Sequence, residues 1–145
     1  MTRLPLSLMA AATLPFVGLS ASVPLHLFSN ARPIVELLLT YAAVIISFLG
    51  GIHWGIAVTQ FAQKRRIANL LVAESVWPSL IAWGVLFYGE IYTQLLVLTL
   101  LYAFVWGIDS LLYSNDIIPQ WFFNLRCVIT PIVVVSLYVA YFGLV

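Results

Sequence analysis

Residues Ile34–Ala62 read IVELLLTYAAVIISFLGGIHWGIAVTQFA, with one carboxylate, one imidazole and no lysine or arginine. A helix needs roughly 20 apolar residues to cross about 30 Å of hydrocarbon, and this run is longer. It lacks the period-2 alternation of a barrel strand, so its backbone is expected to bond within itself as a helix. On either side stand Ser29-Asn30-Ala31-Arg32-Pro33 and Gln63-Lys64-Arg65-Arg66. Beyond them the pattern repeats in Leu4–Phe28, Ile67–Tyr88, Tyr92–Tyr113 and Trp121–Leu144, with short turns at Gly89-Glu90-Ile91 and Ser114–Gln120. The expected fold class is all-α: an integral membrane bundle of five transmembrane helices, forming one domain over residues 1–145.

Composition agrees. The 145 residues are 63% hydrophobic and 8% charged, with mean hydropathy +1.09, against about 45–50% apolar and about 25% charged in soluble domains. A net charge of +1 leaves no basic surface for nucleic acid. The single cysteine, Cys127, excludes a disulfide framework or a cysteine metal cage within one chain. Arg3 and the small residues Ser20-Ala21-Ser22 would suit a signal peptide. However, Pro15 and Gly18 interrupt the run and apolar sequence continues to Phe28, so the first stretch is read as a span.

Five spans put the N-terminus and the Lys64-Arg65-Arg66 turn on one face. Arg3 and Arg126 add to that face, and only Arg32 stands on the other. The positive-inside rule then places the N-terminus in the cytoplasm and the C-terminus outside. The basic turn is read as this topology signal, with an anionic-lipid contact as the lesser option.

Charged groups inside a span cost roughly 2.5–3.5 kcal/mol each, so each needs a reason. Glu36 lies one turn from Pro33 and is assigned to the interface. The fourth and fifth spans turn near residues 117–118, and Asp109 and Arg126 lie about eight residues to either side, at similar depth. The second and third turn near Lys64, with His53 eleven residues before it and Glu74 ten after. Two pairs are therefore expected in the cytoplasmic half of the bundle. Asp109 with Arg126 is an ion pair, either a static staple or a gate. His53 with Glu74, next to Ser75, is either a packing pair or a proton relay.

Small residues at Ser47, Gly51 and Gly55 form a close-packing stripe whose partner is internal or a second copy, and Gly50 leaves room beside His53. Pro78 and Pro131 break the helical hydrogen-bond ladder at the carbonyls of Glu74 and Cys127. Thr130, one turn after Arg126, is positioned to support it. Trp106 and Tyr113 flank Asp109 at i−3 and i+4. Trp121-Phe122-Phe123 reads as an interfacial aromatic belt, while Trp54, Trp77, Trp83 and Trp106 lie deeper, as core or as stacking surface for a planar ligand such as a quinone. There is no HExxH, GxSxG or phosphate-binding glycine loop. His26 and His53 belong to opposite faces, which excludes a bis-histidine haem within one chain. No metal site and no catalytic set is assigned, and the cofactor stays open. A nucleophile pair of His53 with Ser47 or Ser75 is an enzymatic arrangement the residues allow in principle.

Tyr41 followed by Ser47-Phe48-Leu49-Gly50-Gly51-Ile52-His53-Trp54-Gly55 resembles the hallmark segment of the transmembrane protein 69 family (domain of unknown function 3429). The likeness extends to Pro15-Phe16, Ser75, Pro78, Asp109, Pro119, Trp121, Leu125-Arg126 and Thr130, nearly the whole chain. Trp121-Phe122 replaces a Trp-Tyr pair of the family. The resemblance implies a bacterial inner-membrane protein similar to mitochondrial membrane relatives. It brings no activity, but its motif includes His53, Asp109 and Arg126, while Glu74 rests on spacing alone.

Three functions follow as expectations. The leading one is a small transporter or proton-coupled conduit, with His53 and Glu74 as relay and Asp109–Arg126 as gate. So small a bundle would need a second copy to enclose a pore. The alternative is an accessory or assembly subunit of a larger membrane complex, docking through the Ser47/Gly51/Gly55 stripe. The third is a lipid- or quinone-binding protein or enzyme. The expected partners are the lipid bilayer and either a homo-oligomer or such a complex.

Overall fold

The computed structural model describes residues 3–145. Among them are five α-helices, each long and apolar enough to cross a membrane, and no strand. The helices are α1 (Arg3–Ser22), α2 (Arg32–Gln60), α3 (Arg65–Tyr88), α4 (Ile91–Ser114) and α5 (Gln120–Gly143). Short turns make successive helices antiparallel. Each packs on its neighbour in the chain, α5 closes back on α1, and α2 touches α4 across the middle.

The first helix ends six residues before the apolar stretch does. After Ser22 the chain turns through Pro24, and His26 adopts a left-handed conformation (φ 49°) that lets the Leu27 amide donate to the Ser22 carbonyl at 3.3 Å. Helix α4 stops in the same way. Asp116 is left-handed (φ 56°), and the Ile117 amide reaches back to the Leu112 carbonyl at 3.0 Å. Such a left-handed residue closes a helix C-terminus by satisfying its last carbonyls. Hydropathy marks the end of α4, through Ser114-Asn115-Asp116, but not that of α1, where Val23, Leu25, Leu27 and Phe28 are apolar. Helices α3 and α5 run uninterrupted through Pro78 and Pro131. Each proline removes one backbone N–H without ending its helix, since packing against neighbouring helices holds the turn in place.

Helix α2 buries Val35, Leu38, Leu39, Ala42, Ile46, Leu49, His53 and Ala57, and α4 buries Leu95, Leu98, Tyr102, Val105, Asp109 and Leu112. Both follow three- and four-residue steps along one face. Two apolar clusters result. The larger surrounds Phe16, Leu38, Tyr102 and Leu137, with the Tyr102 hydroxyl donating to the Ala42 carbonyl at 2.9 Å. The smaller, made of Ala57, Leu71, Leu112 and Ile118, lies towards the Lys64 turn. At that end Lys64 Nζ donates to the Asn115 carbonyl, tying the α2–α3 turn to the α4–α5 turn. The outer surface is itself apolar: Val44, Phe48, Val58, Trp77, Phe87, Leu100, Val128 and Phe142 are all exposed. Only a lipid solvent makes that arrangement stable, so the protein is a multi-pass membrane protein.

Candidate functional site

The deepest polar group of α2 is His53, seven residues from the helix's C-terminal end and between the buried Leu49 and Ala57. Its stripe faces both α3 and α4, so the imidazole meets a carboxylate on each side. Nδ1 lies 2.6 Å from Glu74 Oε1 and Nε2 lies 3.0 Å from Asp109 Oδ1. Asp109 uses its other oxygen as well, accepting from Arg126 Nε at 2.7 Å. One continuous chain therefore runs Glu74–His53–Asp109–Arg126 through α3, α2, α4 and α5. All four side chains are at least 94% buried. The chain forms a polar layer between the two apolar clusters, where little water screens its charges.

Hydrogen-bond stoichiometry restricts how this layer holds protons. An ionised carboxylate only accepts, and a neutral imidazole carries one N–H and one lone pair. With Asp109 kept as the carboxylate that accepts from Arg126 Nε, two arrangements satisfy both contacts of His53. In the first, an imidazolium donates from Nδ1 to Glu74 and from Nε2 to Asp109, with both carboxylates ionised. In the second, a protonated Glu74 donates to Nδ1 while Nε2–H still donates to Asp109. Counting Arg126 as +1, each arrangement has zero net charge, which suits a layer of low dielectric. They differ only in where one proton sits along the 2.6 Å contact.

Spacing alone suggested two separate pairs, and the structure joins them through His53. Depth along a helix sets which groups are level with one another, whereas joining the pairs also requires α2 to face α4 across the bundle. Tyr102, two turns from Asp109 on the same stripe, packs edge-on against Phe16 with ring centroids 6.0 Å apart, in the larger apolar cluster. The heptad spacing of Leu95, Tyr102 and Asp109 was the available signal for Tyr102.

Other residues lie elsewhere than expected. The Ser75 hydroxyl donates to the Val72 carbonyl of its own helix at 3.0 Å, and Ser47 faces outwards, donating to the Ala43 carbonyl. Both His53 nitrogens are already engaged by carboxylates, so neither serine forms a nucleophile pair with it. Of the small residues, Gly50 is the one that brings α2 against α3, since a Cβ there would run into the Ser75 carbonyl. A Cβ at Gly51 or Gly55 meets nothing within 4 Å, and with Ser47 these residues face away from the bundle. Trp54, Trp77, Trp83 and Trp106 are exposed, neither core nor walls of an internal site. Tyr113 turns from Asp109 to stack on Phe123, with ring centroids 4.5 Å apart. Glu36 is exposed and pairs with Arg32 at 3.0 Å. Two surface grooves, of about 330 and 410 Å³, lie at the end far from Lys64, and no network residue lines either.

Three atoms of the polar layer have no hydrogen-bond partner on the protein: Glu74 Oε2, Arg126 Nη2 and Thr130 Oγ1. Leaving such a buried group unpaired costs about 1–3 kcal/mol, and more when it is charged. Thr130 thus does not bond Arg126 directly, although it is buried one turn away. Among the described residues, no group of three or more His, Cys, Asp or Glu has the arrangement to hold a metal ion.

The family model described as Protein of unknown function (DUF3429) matches residues 1–142, a span that takes in all four members of the network. The chain belongs to this family. It is 31% identical over 132 residues to Transmembrane protein 69 of Xenopus tropicalis, covering 88% of this chain and 49% of that protein. It is 30% identical over 99 residues to Transmembrane protein 69 of Mus musculus, covering 68% and 39%. The chain thus spans about half the length, or less, of the curated relatives it matches. No solved structure matches it. The family is the one that the SFLGGIHWG segment resembles.

Proposed function

We propose that this family member handles protons within the membrane, as a small proton-coupled transporter or conduit, with Glu74 and His53 as the relay and the Asp109–Arg126 pair as the gate. The observation that carries the reading is the 2.6 Å Glu74–His53 contact, whose proton has two placements of equal net charge inside a spanning bundle. A proton reaching Glu74 can pass to His53 without creating a new net charge in the apolar interior. In doing so it converts the α2–α3 contact from one between neutral groups to one between ions. Charge-assisted hydrogen bonds are roughly twice as strong as neutral ones, so the same step tightens α3 against α2. The basic Lys64 end is assigned to the cytoplasm by its excess of lysine and arginine. A bacterial inner-membrane location rests on the family resemblance of the sequence.

The test is potential-driven proton uptake into liposomes holding the purified protein and an internal pH dye. Glu74→Gln keeps the shape and removes the mobile proton, so uptake is expected to fall to that of protein-free vesicles. His53→Ala should do the same. Equal uptake in all three proteins, or none in the unaltered one, would remove the relay.

A second reading, an accessory subunit of a membrane complex, is favoured by one observation: Ser47, Gly51 and Gly55 face out of the bundle with open space at both glycines. Small residues on a lipid-facing helix let another backbone approach closely. Gly51→Leu meets no clash inside the chain, so it should leave the monomer folded. On this reading it abolishes association on native gels; unchanged migration removes it.

A further inference from the structure

The network ends in unpaired polar atoms at both extremes, with Glu74 Oε2 on α3 and Arg126 Nη2 on α5, and Thr130 Oγ1 is unpaired beside the latter. Arg126 and Thr130 are four residues apart on the buried face of α5, so their side chains are neighbours. A proline marks each extreme too. Pro78 brings no N–H to the Glu74 carbonyl, and Pro131 brings none to the carbonyl of Cys127, next to Arg126. Each end therefore combines an unsatisfied side chain with a backbone acceptor relieved of its helical donor.

We infer that buried water completes the chain at both ends, one site held by Arg126 Nη2 and Thr130 Oγ1 and the other by Glu74 Oε2. Water suits these groups because it both donates and accepts, and a buried water typically makes two to four hydrogen bonds to such atoms. An inorganic anion is disfavoured. The layer already balances its charges, and an anion at either end would add an uncompensated one beside two carboxylates. Water at Glu74 gives the relay a group to exchange protons with, and this last step rests on the function proposed above. The hydration itself does not. Thr130 is in this account a positioning residue, acting on the network through the water it holds.

Magic-angle-spinning NMR on isotopically labelled protein in bilayers, with magnetisation transferred from water protons, tests this directly. The Arg126 guanidinium should receive strong transfer in the unaltered protein and in Thr130→Ser, and lose most of it in Thr130→Val. Thr130 has no hydrogen bond on the protein to lose, so the valine variant is expected to fold, which its spectrum will report. A dry guanidinium in the unaltered protein would overturn the inference, as would transfer unaffected by Thr130→Val. An Arg126 resonance that moves with chloride concentration would also overturn it, by assigning the site to an anion. Proton uptake on the same preparations keeps the two ideas apart. A wet Arg126 without uptake supports the hydration and removes the relay.

Discussion

Asp109→Leu is expected to destabilise the bundle by about 3–5 kcal/mol, because it leaves the Arg126 guanidinium buried with no counter-charge. Asp109 is 1% exposed and Arg126 2%, so neither can turn to the lipid headgroups without unpacking a helix. The loss is double, since Asp109 also accepts from His53. Thermal unfolding in detergent, followed by circular dichroism, measures it. Removing both charges has a different outcome. In Asp109→Leu with Arg126→Met no buried ion is left unpaired on that side, and replacing a buried pair by apolar residues of similar volume is often neutral or stabilising. The double variant should therefore recover most of what the unpaired guanidinium costs, and retain only the smaller loss from the missing His53 Nε2 contact. If it also kept full proton uptake, Asp109 and Arg126 would be a staple between α4 and α5 and no gate.

Gly50→Val is expected to cost as much as the larger core overpackings, about 3 kcal/mol. The added carbons run into the Ser75 carbonyl, a backbone atom that cannot swing aside as a side chain does. Relief requires α3 to move, and Ser75 adjoins Glu74, so the displacement also lengthens the Glu74–His53 contact. Uptake should fall together with stability. Gly51→Val, one residue along, is the control: it meets open space and should change neither. Similar losses in both variants would mean that the contact with α3 does not set the requirement for glycine at residue 50, since helix propensity by itself favours valine over glycine.

The spans were legible because a bilayer demands long apolar runs and because charges collect in the turns between them. Depth was legible as well: counting from the two turns made His53 level with Glu74, and Asp109 with Arg126. What counting residues does not supply is rotation about each helix axis. In a soluble bundle, polar residues mark the outer face. Here lipid is as apolar as the core, so Trp77 and Trp83 on the outside and Leu38 and Leu98 on the inside carry the same kind of side chain. That is why the tryptophans and the Ser47/Gly51/Gly55 stripe were open to a reading as interior, and why Gly50 rather than Gly51 proves to be the close approach to α3. Only the ionisable residues away from the helix ends declare their face, since each of those must point away from lipid. The link from His53 to Asp109 needed one further fact, the contact of α2 with α4 across the bundle.

His53 is bonded at both ring nitrogens to carboxylates on two other helices. Nitrogen-15 NMR of the His53 imidazole in bilayers tests it most directly, read with Glu74→Gln and Asp109→Asn. Two strongly hydrogen-bonded nitrogens are expected in the unaltered protein. Glu74→Gln should move mainly the Nδ1 resonance and Asp109→Asn mainly the Nε2 resonance. A neutral ring with one free nitrogen, indifferent to both substitutions, would contradict it.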